Sequence, residues 1–282
     1  MSGIKEIVRK ILPSSVYNLL RKTKRSVSYL FFHRSSPLNK FLVRVQLPFL
    51  MFQTFPPAEL RFRVHGEKNL EGFISIGQLC LESIENTLGI IDKKISDFPK
   101  VLDFGCGCGR VIIPMAKKYS IENLWGTDID SDAIFWCKTK LKGGHFGVNK
   151  LHPPLSYPSD SFDFIYSISV FTHLSEEHQF EWLEELRRVT APGGYVLLTF
   201  HGESISHDSG ALPEKQVSRL NEEGQLFFPN DSSENFLPEW YGTTFHTDKY
   251  IREKFTKYFK IIQHIPKGMA NHQDIVLFQK AD

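Results

Sequence analysis

Glycines, carboxylates and one histidine carry most of the chemistry legible in this 282-residue chain. Val101-Leu102-Asp103-Phe104 is a short apolar run interrupted by an acid and followed by Gly105-Cys106-Gly107-Cys108-Gly109-Arg110. Apolar strand, then Gly-x-Gly-x-Gly, then helix is a nucleotide-binding arrangement. Its glycines let the backbone approach a ligand, and a helix N-terminus adds a positive field. A dinucleotide fingerprint needs Gly-x-Gly-x-x-Gly. The sixth position is Arg110 counted from Gly105 and Ile112 counted from Gly107, so that spacing is not met. Asp103 would also crowd a pyrophosphate, whereas an ammonium group would be welcome beside it.

A second acid follows at a useful distance. Asn123-Leu124-Trp125-Gly126-Thr127-Asp128-Ile129-Asp130 reads as the next strand, and Asp128 falls 19 residues after Gly109, where a ribose-binding carboxylate is expected. Two oxygens on one carboxylate can accept from both ribose hydroxyls. Asp130 is the alternative ribose ligand, and the bland role for Asp128 is a helix cap.

These residues need a scaffold, and from residue 100 the pattern supplies one. Short apolar runs at Lys100–Phe104, Asn123–Thr127, Phe162–Ser167 and Tyr195–Phe200 alternate with amphipathic stretches at Gly109–Tyr119, Asp132–Leu141 and Glu176–Val189. Ser175 is placed to cap the last helix, and Ala191-Pro192-Gly193-Gly194 turns the chain into the next strand. A weaker strand covers His145–Asn149. A helix over Thr247–Tyr258 precedes two closing strands near Lys260–His264 and Asp274–Phe278, most naturally an antiparallel pair. The predicted fold is α/β: a doubly wound, mostly parallel seven-stranded sheet with a helical N-terminal extension. Residues 1–60 form that extension. Residues 61–282 form the domain, with a helical lead-in over 61–99 and a turn-rich insertion on the acceptor side over 201–246.

The run VLDFGCGCGR resembles the first motif of the class I methyltransferases, which bind S-adenosylmethionine. The resemblance covers roughly residues 75–280 and is strongest over 100–200. It implies that Gly105, Cys106, Gly107, Gly109 and Arg110 lie along the cofactor and that Asp103 faces its methionine end. It also implies that Ile129 packs on the adenine and that Asn149 stands where many relatives use Asp to accept from the adenine amino group. Asp160–Leu174 is similar to the family's fourth-strand segment, with Ser167 at the strand tip beside the methionine part and Phe171 and His173 in the loop beyond. His173 is the catalytic candidate, because a hydroxyl acceptor benefits from a base and imidazole suits neutral pH. The bland alternative is that it orients the loop. His201 and His246 are weaker candidates. Leu226-Phe227-Phe228-Pro229, with Trp240, Tyr241 and Phe245, either lines an acceptor pocket or is core.

Composition narrows the partners. Ten Lys or Arg against two acids give residues 1–60 a charge of +8, leaving −6 for the rest of a chain whose total is +2. A basic head on an acidic body suggests either a solvated helical face or peripheral contact with an anionic membrane surface. Nucleic acid is not expected as a partner, since the body is acidic and Ser167-Ile168-Ser169-Val170 stands in place of an Asn/Asp-Pro-Pro-Tyr or Pro-Cys motif. No metal site is expected: Cys106-x-Cys108 is too tight for a zinc knuckle and lacks a second pair. Four cysteines without a secreted framework and the lack of a signal peptide favour a cytoplasmic setting. The expected activity is methyl transfer to a small-molecule or glycan-like acceptor, with hydroxyl favoured. The alternatives are a membrane-surface enzyme for a lipid-linked acceptor and a binding module without catalysis.

Overall fold

The computed structural model describes residues 55–208, 211–229 and 241–281. The basic segment before residue 55 and Trp240 lie outside the described residues. Two helices lead in: α1 (Ala58–His65) and α2 (Leu70–Gly89), the second opened by the Asn69 side chain accepting from Glu71 N. Residue 60 therefore falls inside a helix that starts after Pro57. The sheet follows as β1 (Val101–Phe104), α3 (Ile112–Lys118), β2 (Leu124–Asp128), α4 (Ser131–Lys140), β3 (His145–Val148), β4 (Phe162–Ser167), α5 (Glu176–Val189) and β5 (Thr190–Phe200). Then come α6 (Glu203–Asp208), α7 (Glu214–Glu223), β6 (Gln225–Pro229), β7 (Gly242–His246), α8 (Asp248–Phe255), β8 (Lys260–Met269) and β9 (Gln273–Gln279).

Seven strands pair in the order β3-β2-β1-β4-β5-β9-β8. The first five are parallel; β9 runs antiparallel to β5 and β8 antiparallel to β9. Right-handed crossovers force helices onto both faces, so β1 and most of β4 and β9 are buried and read as nearly unbroken apolar runs. One core layer joins Leu102, Phe104, Phe162 and Phe200 of the sheet to Trp182, Leu183 and Leu186 of α5 and Phe255 of α8. The strand order reverses between β1 and β4, and a crevice at such a switch point is where open α/β sheets bind ligands. Register brings the carboxyl ends together: Phe104 pairs with Thr127, and Asp103 with Tyr166.

Local chemistry moved several predicted boundaries. The helix expected from Gly109 begins only at Ile112, because the chain is still turning through Gly109–Val111. Ser175 occupies the N-cap position of α5, but its hydroxyl bonds His178 Nδ1 at 2.7 Å instead of capping a backbone N–H. The ladder of β5 starts at Thr190 and absorbs the predicted 191–194 turn as an irregularity opposite Phe162–Phe164. The 201–246 insertion is more regular than its composition suggests. It carries α6, α7 and a separate antiparallel pair, β6 and β7.

A buried charge cluster ties the closing hairpin to α8. His264 Nδ1 bonds Asp248 Oδ1, and Nε2 bonds Asp274 Oδ2 at 3.0 Å. The imidazole is 7% exposed and the Asp274 side chain 4%. Burial alone would lower the His264 pKa, but the two carboxylates raise it above the usual range. A raised histidine stabilises the fold fully below its unfolded value, near 6.5, and loses that contribution as pH climbs through the folded value. Asp248 is held below its ordinary value by Arg252 and His264 against the opposing effect of its own burial, so its contribution is lost on the acid side. The stability difference in urea between the wild-type chain and His264→Gln should therefore shrink as pH rises from 5 to 9, a comparison in which the other titrating groups cancel. At pH 5 the substitution should cost up to about 3 kcal/mol, the low end for breaking a buried ion pair, because Asp274 keeps Lys267 N and Ser204 Oγ as donors.

Candidate functional site

The glycine loop is pinned from below by β2. Gly105 N and Cys106 N both donate to the Thr127 carbonyl, at 2.8 and 3.1 Å, and Gly107 N donates to Asp128 Oδ2 at 2.7 Å. Gly105 and Gly107 have φ of +83° and +51°, which disfavour any side chain. A Cβ on Gly105 would stand 2.2 Å from Val170 Cγ2, and one on Gly107 2.5 Å from Val64 Cγ2. The loop after β4 and the lead-in helix α1 thus both close on this loop.

Two carboxyl groups face it. Asp103 is 4% exposed, and burial pushes it up to about 8, with the Tyr166 phenol and Arg110 opposing and Asp128 adding to the rise. Asp128 is pushed up to about 6 by burial, against backbone N–H bonds from Asp130 and Gly107. Asp128 Oδ1 accepts Asp130 N at 2.8 Å and Oδ2 accepts Gly107 N, with Ile129 N also favouring the carboxylate, and the group keeps acceptor capacity for a further donor. Asp130 instead caps α4 through Asp132 N and Ala133 N and pairs with Arg63 at 2.7 Å. Of the two ribose-ligand candidates, Asp130 is thereby committed elsewhere.

The other predicted cofactor residues border the same loop. Ile129 is 43% exposed just past β2. Asn149 follows β3; its Oδ1 accepts from Thr127 Oγ1 at 2.9 Å and its Nδ2 donates to the Lys150 carbonyl. Ser167 is fully buried, and its hydroxyl donates to the Phe104 carbonyl at 2.8 Å, tying β4 to β1. Cys106 is buried beside Cys137, with its thiol pushed well up by burial. Arg110 donates from Nη1 to the Val64 carbonyl at 3.1 Å, while its buried Nε has no partner among the described residues. Among the described residues no group of His, Cys, Asp or Glu could hold a metal ion.

Across the switch point, His173 sits in the loop between β4 and α5. Its Nδ1–H donates to the Gly242 carbonyl at 2.8 Å, and its ring stacks on Tyr241 with centroids 4.2 Å apart. Burial lowers its pKa, so the imidazole is neutral at physiological pH. His201 lies 6.4 Å away, ring to ring, and is driven down to about 4 by burial and by the neighbouring His173 and His272. His246 is fully buried, bonded through Nε2 to Gln179 and pushed down to about 3 by burial. It is a core residue with no access to a ligand. Leu226 and Phe245 pack with Ile205 and Leu220 in a small core, so of the proposed pocket aromatics it is Tyr241 that meets the catalytic candidate.

Some site residues gave no local signal. Arg63 and Val64 reach the loop from a helix that buries only Leu60, so periodicity does not point to them. Gln179 did leave a trace. It is a polar residue in line with Trp182, Leu183 and Leu186 on the apolar face of α5, and it is wholly buried. Its amide donates to the Phe171 and Leu174 carbonyls and so holds the loop that carries His173.

Comparison with known proteins finds methyltransferases. Residues 101–194 match the family model described as a methyltransferase domain. The chain is 36% identical over 104 residues to an rRNA N6-adenosine methyltransferase of Caenorhabditis elegans, covering 33% of this chain and 46% of that protein. It is 29% identical over 153 residues to phosphoethanolamine N-methyltransferase 1 of Arabidopsis thaliana, covering 51% and 28%. It therefore spans less than half the length of either curated relative. The crystal structure of magnesium protoporphyrin IX methyltransferase from Synechocystis, with bound SAH, superposes with a TM-score of 0.52 at 18% identity, covering 78% of this chain and 93% of that one. That likeness is one of fold.

Proposed function

We propose that the chain, through residues 101–194, is a class I S-adenosylmethionine-dependent methyltransferase that methylates a hydroxyl of a small-molecule or glycan-like acceptor. The observation that carries the reading is the placement of a glycine loop, two carboxyls and an imidazole at the carboxyl ends of β1, β2 and β4. The cradle fits the cofactor better than it fits a dinucleotide. Asp103 suits a cationic methionine end, because a cation favours its carboxylate form, and Asp128 keeps acceptor capacity for ribose hydroxyls. When bound, S-adenosylmethionine supplies an electrophilic methyl group. Gly105, Gly107 and Gly109 would line it, Asp103 would face its cationic end, and His173 would take the acceptor's proton.

Asp103 makes cofactor binding pH-dependent. A cation favours the carboxylate, while the free protein holds Asp103 protonated below about 8. Binding at pH 7 should release a proton, and affinity should rise by up to tenfold per unit between pH 6 and 8. Calorimetry in buffers of differing ionisation enthalpy measures the release, and Asp103→Asn should abolish it.

Transfer of labelled methyl from S-adenosylmethionine into fractionated cell extract tests the acceptor. Label in saccharide or small-molecule hydroxyls supports the proposal; label in RNA or protein overturns its acceptor half. The charge of residues 1–60 leaves a lipid-linked acceptor as a variant of the same reading, told apart by vesicle co-sedimentation. Among the described residues no helix is long and apolar enough to cross a membrane. Four free, buried cysteines support a cytoplasmic setting.

A further inference from the structure

His173 is gripped at two points by one residue of the inserted hairpin. Gly242 N donates to the His173 carbonyl at 3.1 Å, and His173 Nδ1–H donates back to the Gly242 carbonyl at 2.8 Å. A carbonyl oxygen only accepts, so Nδ1 must carry the proton. In a neutral imidazole that leaves Nε2 as the lone-pair nitrogen. Among the described residues, the ring hydrogen bond of His173 is made through Nδ1. Tyr241, the residue before Gly242, lies flat on the ring with an interplanar angle of 21° and restrains its rotation.

The grip depends on close approach of the hairpin. A Cβ on Gly242 would fall 2.2 Å from Phe227 Cε2 and 2.6 Å from the Phe228 carbonyl oxygen, both on the paired strand β6. Any side chain there must push β7 away from β6 or towards the loop bearing His173. Two further anchors on that loop come from the same strand. Thr244 N donates to the Thr172 carbonyl at 2.8 Å, and Thr244 Oγ1 donates to the Leu174 carbonyl at 2.6 Å.

We infer that Gly242 is a positioning residue that fixes His173 in its Nδ1–H tautomer, so that the inserted β6–β7 hairpin, and not the main sheet, makes this histidine a base. The inference rests on the reading of His173 as the base in methyl transfer. It assigns the hairpin a part in catalysis. An unconstrained imidazole samples both tautomers, so holding one keeps the lone pair on a single nitrogen.

Long-range proton–nitrogen NMR of the ¹⁵N-labelled full chain reads the tautomer directly, with the His173 ring assigned by its loss in His173→Gln. The expected result at neutral pH is a protonated Nδ1 and a bare Nε2. A protonated Nε2, or an averaged signal, would overturn the inference, and this measurement needs no folded Gly242 variant. Gly242→Ala should convert the ring to a tautomer mixture and lower kcat about 10- to 100-fold, with affinity for S-adenosylmethionine unchanged. Gly242→Ala with Phe227→Ala, which removes the colliding ring, should recover part of that loss. If the Gly242 variants keep the wild-type tautomer, the inference fails even though methyl transfer stands. If the wild-type chain does not transfer methyl at all, the functional reading fails while the tautomer result remains.

Discussion

His173→Asn is expected to lower kcat about 10²- to 10⁴-fold, the usual worth of a positioned general base, while leaving the dissociation constant for S-adenosylmethionine unchanged. The split follows from where the residue sits. His173 lies on the loop after β4 and is bonded to the inserted hairpin, whereas the glycine loop is anchored on β2 through Thr127 and Asp128. Removing the imidazole therefore leaves the cofactor cradle intact. The pH profile should move with it. Burial lowers the His173 pKa, so the acid limb of the wild-type profile lies below the ordinary histidine value. That limb should vanish in the variant. An equal loss of cofactor affinity would assign His173 to binding instead.

Asp128→Ala is expected to weaken S-adenosylmethionine binding at least ~100-fold. Two hydrogen bonds from ribose hydroxyls to a carboxylate contribute about 1.5–3 kcal/mol each, and every 1.4 kcal/mol is a factor of ten. The same carboxylate also holds Gly107 N at 2.7 Å and Asp130 N at 2.8 Å, so its removal loosens the loop as well. Asp128→Asn keeps one acceptor oxygen and should lose less. Isothermal calorimetry gives the affinities, and circular dichroism checks that the variants are folded. Asp130→Ala is the contrast: its side chain is spent on capping α4 and pairing Arg63, so its effect on affinity should be much smaller.

The parts legible in the sequence are those whose signal is local. Left-handed glycines, an acid closing an apolar strand and a 19-residue step to the next acid all lie within one β-α-β unit, where backbone geometry dictates residue type. The sheet was legible for the same reason, since strands buried on both faces stay apolar along their length. The parts that escaped depend on distant packing. Val64 over Gly107, Arg63 on Asp130 and Gly242 on His173 join residues 43, 67 and 69 positions apart. Neither α1, with one buried residue, nor a five-residue strand carries enough periodicity to announce what it will touch. Ser175 shows the converse. Its type fitted an N-cap, but a histidine three residues on competes for its hydroxyl, and the competition is settled by geometry that sequence spacing leaves open.

The most direct test of the account is calorimetric titration of S-adenosylmethionine into the full-length wild-type chain. The account predicts saturable binding of one cofactor per chain, with release of a proton near pH 7. No binding at millimolar cofactor, by a protein shown to be folded, would contradict it at its root.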